Sequence, residues 1–63
     1  MKIKDYPDVC TVKEVAEILN IGMNTAYYLV KNNIIKSRKI GRIYRIPKIF
    51  VYEYLQKNNK YEN

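Results

Sequence analysis

The stretch Thr11 to Asn33, TVKEVAEILNIGMNTAYYLVKNN, constrains the fold more than any other part of the chain. Thr11 is followed three residues later by Glu14, the spacing of a capping box. In that motif the Thr hydroxyl accepts from the Glu14 amide and the Glu14 carboxylate accepts from the Thr11 amide. Apolar residues then fall at Val12, Val15, Ala16 and Leu19, the i, i+3, i+4, i+7 stripe of a helix with one buried face. Asn20-Ile21-Gly22 breaks the stripe. Asn20 suits a left-handed helix end, and Gly22 tolerates an N-cap position. A second stripe follows at Ala26, Leu29 and Val30. On a helical wheel Asn24, Tyr28 and Lys31 face away from it, with Thr25 and Asn32 beside them. The pattern predicts helices over 12–20 and 23–32, the second ended by Asn32-Asn33.

Two helices joined by about three residues, with the small Ala16 where backbones must approach, suggest a helix-turn-helix. A plain helical hairpin fits this stretch as readily, so the rest of the chain must decide. From Ile34 the pattern changes. Residues 34–40 are β-branched and basic, and Gly41-Arg42 separates them from Ile43-Tyr44-Arg45-Ile46. Two β-prone runs around a two-residue turn that opens with Gly read as a hairpin. Tyr44 and Ile46 are expected inward and Arg45 outward. The first strand leaves its register open, because Arg38 shares a face with Ile40. Pro47 closes the second strand and suits a helix start. A third helix is expected over 48–57, with Val51, Tyr54, Leu55 and Phe50 toward the core.

The hairpin carries Lys36, Arg38, Lys39, Arg42 and Arg45, five of the twelve basic residues within ten positions. Charged side chains often protect sheet edges. Arg38, Lys39 and Arg42 around a Gly turn exceed that need. A basic hairpin after a helix-turn-helix is a wing. With six acidic residues the formal net charge is +6, a balance that favours a polyanionic partner.

At 63 residues the chain makes one domain. A chain of this size buries only ~60% of its unfolded surface, so its stability is modest. Residues 1–8 read as an arm in which Pro7 blocks a helix and Tyr6 and Val9 serve as anchors. Val9-Cys10 reads as a short extended piece before the Thr11 cap. The domain runs over 9–57, and the polar tail 58–63 is expected to fray. Cys10 is the single cysteine and sits in an apolar run, where it packs as a small hydrophobe. With no histidine and no cysteine cluster, no metal or other cofactor is implied. No nucleophile–base pair or phosphate loop can be assembled, so an enzyme is not expected. No apolar run approaches the ~20 residues of a membrane span. Asp5, Pro7 and Asp8 interrupt the start before a secretory leader could form, so a cytoplasmic location is expected.

In order, the chain reads helix, turn, helix, basic hairpin, helix: a small α+β winged helix-turn-helix with a two-stranded antiparallel wing. It resembles the excisionase-type, MerR-like winged helix-turn-helix DNA-binding domains of phages and conjugative elements. The resemblance rests on Thr11-Val12-Lys13-Glu14-Val15-Ala16-Glu17-Ile18-Leu19, Thr25-Ala26-Tyr27, Ile40-Gly41-Arg42-Ile43-Tyr44-Arg45-Ile46-Pro47 and Tyr54-Leu55, and covers residues 9–56. It implies a second helix in the major groove and a wing on the backbone or in the adjacent minor groove. Three positions depart from the family's habit: Gly22 replaces a Ser or Thr cap, Tyr28 stands where Arg is common, and Ile49-Phe50 replaces a polar first turn.

Base contacts are then expected from Asn24, Thr25 and Tyr28, early in the second helix. Asn can pair bidentately with adenine, and a Thr methyl can meet a thymine methyl. Phosphate contacts are expected from Tyr27, Lys31, Lys39, Arg42 and Arg45, with Arg38, Gly41 and Arg42 shaping the wing. Ile49 lies about 160° from Val51 on the third helix and, with Tyr52, forms a candidate protein interface. The partners expected are double-stranded DNA and either an integrase or further copies of the chain. Excision accessory factor is the first reading and a small transcriptional regulator the second. The short chain favours the first, because MerR-type regulators add a long dimerisation helix and an effector domain. A protein-interaction module is the alternative from another class, and RNA binding is more distant for want of an aromatic platform.

Overall fold

The computed structural model describes residues 3–57. After one turn of 3₁₀ helix at Ile3–Asp5 come β1 (Val9–Cys10), α1 (Val12–Leu19), α2 (Met23–Lys31), β2 (Arg38–Ile40), β3 (Ile43–Pro47) and α3 (Lys48–Lys57). The capping box forms as its spacing predicts. The Glu14 amide donates to Thr11 Oγ1 at 3.1 Å, and the Thr11 amide donates to Glu14 Oε1 at 2.9 Å. Both helices of the pair end on asparagine. Asn20 is left-handed at φ 57; its amide donates to the Glu17 carbonyl and that of Ile21 to the Ala16 carbonyl. Asn33 repeats this at φ 59, with its amide on Val30 and that of Ile34 on Leu29. These are the paired bonds of Schellman closures. They end each helix one residue short of the expected bound.

The second closure also shortens the wing. Ile35 donates to the Leu29 carbonyl at 3.1 Å, so residues 34–37 wrap the end of α2, and β2 begins only at Arg38. β2 and β3 are antiparallel, with Arg38 opposite Arg45, Lys39 opposite Tyr44 and Ile40 opposite Ile43. Gly41, at φ 62, opens the turn, while Arg42 keeps a negative φ; this is the combination of a II′ hairpin.

The sheet has three strands rather than two, in the order β1-β3-β2. β1 pairs Val9 with Pro47 and Cys10 with Ile46. Pro47 is therefore the last residue of β3. It cannot donate to β1, and the next amide, that of Lys48, donates to the Asp8 carbonyl at 2.7 Å instead.

The core lies where α1, α2, β3 and α3 meet. Val15, Val30, Ile35, Ile46, Val51 and Cys10 are its largest fully buried side chains. Each large aliphatic contributes about 1.5–3 kcal/mol by leaving water. Tyr44 and Ile46 point inward as expected; Tyr44 stays half-buried, as do Leu19, Phe50, Tyr54 and Leu55. The strand-like context of Ile35 points to no core position, yet it is among the most buried residues. Val9 is exposed and does not anchor the arm by its side chain; Tyr6 does, and the Asp8 carbonyl adds the bond from the Lys48 amide. The Tyr6 hydroxyl donates to Glu17 Oε1 at 3.4 Å, and its carbonyl accepts from Lys48 Nζ at 2.8 Å. The expected fraying of 58–63 lies outside the described residues.

Candidate nucleic-acid interface

Ala26, Leu29 and Val30 are buried and fix the rotation of α2. Asn24, Thr25, Tyr27, Tyr28 and Lys31 are consequently exposed, with Tyr28 at 58%. Gly22 caps α2 with φ −71 and ψ 160 but offers no side-chain acceptor, and the first turn carries no acid. Neither the cap nor the first turn of this helix thus supplies a side chain to compensate its positive end.

The wing leans on α2 through aromatic rings. Tyr27 and Tyr44 meet edge to face, with centroids 6.2 Å apart at 74°. Lys39 Nζ lies 5.3 Å from the centroid of the Tyr44 ring on the same hairpin. Beside this stack a groove of about 250 Å³ runs between the start of α1, the start of α2 and the wing tip. Lys13, Met23, Tyr27, Arg42, Ile43 and Tyr44 line it. Tyr27 and Arg42, both expected at phosphates, are thereby brought to one place. Lys13 and Met23 were not singled out from the sequence. Lys13 sits off the buried stripe of α1 next to the Thr11 cap, and that combination of charge and position was the available signal.

Arg38, Lys39, Arg42 and Arg45 are all exposed. Arg38 and Arg45 stand directly opposite each other, and among the described residues neither has an acidic partner within ion-pair distance. Lys36 is not a wing residue: it precedes β2, and its Nζ lies 5.8 Å from the centroid of the Phe50 ring on α3. Ile49 and Tyr52 are exposed and line a different groove, of about 400 Å³, with Ile3, Lys4, Asp8 and Lys48. The structure does not bring them to the wing.

Burial, followed by the nearby Glu14 carboxylate, pushes the Cys10 thiol up from its ordinary pKa. A buried, protonated thiol is a packing group and a poor nucleophile. Among the described residues no group of three or more His, Cys, Asp or Glu is placed to hold a metal ion. No helix among them is long and apolar enough to cross a membrane.

Comparison with curated proteins and with solved structures gives no match. The sequence model of a helix-turn-helix domain, by contrast, matches residues 9–59, which is most of the chain and includes both helices, the sheet and α3. Such a domain implies DNA binding, and proteins built on it are generally not enzymes. Its capped helix pair, its wing and this match agree: the chain belongs to the helix-turn-helix domain family, which is found in excisionase-type small DNA-binding proteins.

Proposed function

We propose that this chain is a sequence-specific double-stranded DNA-binding protein that acts as an excision accessory factor of a mobile element. The observation that carries the reading is the groove shared by the first turn of α2 and the wing tip, which holds Lys13, Met23, Tyr27 and Arg42 at its walls. In this reading α2 enters the major groove. Asn24, Thr25 and Tyr28 meet base edges, while Tyr27, Lys31, Lys39, Arg42 and Arg45 hold phosphates.

A duplex selected from a random pool tests it. Asn24→Ala is expected to cost about 1–3 kcal/mol on the selected duplex and less on random DNA. Equal losses on both would reduce α2 to a positioning element. Log affinity should fall with log salt by about 0.9 per phosphate contact, and Arg42→Ala should remove roughly one contact from that slope. An excision assay with an integrase of the same mobile element then separates an accessory factor from a transcriptional regulator, which would alter reporter output without altering excision.

The α3 surface belongs to the same proposal. The groove beneath Ile49 and Tyr52 is apolar and carries both signs of charge at its rim, Lys4 and Lys48 against Asp8. A rim of mixed sign suits a second copy of this chain better than it suits DNA. Ile49→Ser with Tyr52→Ser should leave single-site binding intact and abolish cooperativity between adjacent sites; undiminished cooperativity would sink this assignment.

A further inference from the structure

Ile40 and Ile43 stand directly opposite each other at the tip of the wing, 59% and 54% exposed. Isolated surface apolar residues need no explanation, but a directly opposed pair forms one contiguous apolar end. The fold does not call for it. All three residues of β2 are exposed, and the hairpin is held to the body by Tyr44 against Tyr27. The surroundings of the pair are basic. Arg42 forms the apex of the turn, and Arg38 faces Arg45 one pair further along the same face. Like charges directly opposed across a ladder destabilise it unless an anion lies against them. Gly41, beside Arg42, leaves open space at the apex.

An apolar tip enclosed by three arginines has the chemistry of a minor-groove wedge. Aliphatic side chains inserted at a base step part the stacked bases, and flanking cations hold the phosphates on either side. We infer that Ile40 and Ile43 form an apolar wedge that enters the minor groove and unstacks a base step, with Arg38, Arg42 and Arg45 on the adjacent phosphates. The inference rests on the DNA-binding reading above and deepens it: the wing kinks its site as well as attaching to it. Pyrimidine–purine steps, TA above all, open most easily and are the steps this wedge selects. A protein partner for the tip is disfavoured by the three unpaired arginines around it. Ile43 also borders the groove at the wing tip, next to Arg42.

The test uses the full chain and a duplex selected from a random pool, with 2-aminopurine placed in turn at each pyrimidine–purine step. The parent complex is expected to bend the duplex by about 20–90° and to brighten the probe at a step outside the α2 contact. Ile40→Thr with Ile43→Thr keeps strand-forming side chains and removes most of the apolar tip. This variant should lose the bend and the brightening while its salt dependence on random duplex stays that of the parent. A variant that bends and brightens like the parent overturns the wedge. So does a parent complex that binds its selected duplex tightly with neither signal, a result that needs no variant to fold and leaves the DNA-binding reading standing. A parent with no preference among duplexes overturns that reading and the wedge with it.

Discussion

α1 and α2 are nearly equal in length, eight and nine residues, and their N-termini are built in opposite ways. Thr11 and Glu14 close the first turn of α1 in both directions. Gly22 closes nothing on α2 by side chain. The C-terminal ends do not differ in this way, since Asn20 and Asn33 perform the same left-handed closure. The asymmetry is therefore confined to the one helix end that, with Arg42 and the wing, borders the groove. α1 is stabilised from within the chain. α2 is held by its buried stripe and leaves its leading amides and polar side chains available. The lesson is that a reading element in a small domain can be fixed by its back while its front stays chemically unfinished.

The largest effect should come from cutting that back. Leu29→Ala removes a buried anchor of α2 and should cost about 2–5 kcal/mol. A domain of 63 residues has on the order of 3–9 kcal/mol in total, so much of this variant would be unfolded at 37 °C. The next residue back, Tyr28, is exposed, and Tyr28→Ala should stay within about 0.5 kcal/mol of the parent in urea titrations. It should nevertheless lose affinity for the selected duplex. Similar urea midpoints for the two variants would dissolve the division between back and front.

Next comes the cap. Thr11→Ala removes the acceptor for the Glu14 amide and should lower stability by about 0.5–2 kcal/mol, read from the urea midpoint. Affinity of the folded protein for DNA should fall much less than it does with Asn24→Ala. A larger loss of affinity than of stability would move α1 from scaffold to interface.

The same contrast explains what could be read from the sequence. The capping box, both asparagine ends and the two apolar stripes are local, and each forms where its spacing places it. The inward alternation of Tyr44 and Ile46 is equally local and was equally legible. What the sequence hid depends on distant partners. Val9-Cys10 reads as extended from the sequence, but its pairing with the edge of β3, which makes it a third strand, does not. Ile34 and Ile35 have strand propensity, but the carbonyl of Leu29 claims both amides and turns them into a helix closure. Lys36 looks like one of a basic run and is instead drawn over Phe50 from α3. Of the expected interface, exposure on α2 followed from the wheel. The meeting of Lys13, Tyr27 and Arg42 in one groove did not, because no spacing within a single element encodes it.

The smallest effect bears most directly on the comparison. Gly22 has φ −71 and ψ 160, close to the φ −87 and ψ 169 of Thr11, and a Cβ built there meets nothing within 4 Å. An acidic or amide cap therefore fits without strain. Gly22→Asn and Gly22→Asp should each stabilise the domain by a few tenths of a kcal/mol through a side-chain bond to the first-turn amides. Asp should add about 0.3–1 kcal/mol through the helix dipole at low salt. On DNA the two should part. Asn keeps the site neutral and should bind nearly as the parent does. Asp places a carboxylate beside Asn24 and Thr25 and should weaken binding, the gap from Asn narrowing as salt screens the charge. Stability and affinity would then move in opposite directions in one variant and not in the other. If the Asp variant binds as well as the Asn variant at low salt, the bare end of α2 has no phosphate near it. If neither variant is more stable than the parent, the uncapped terminus is no weakness, and the contrast with α1 is one of appearance only.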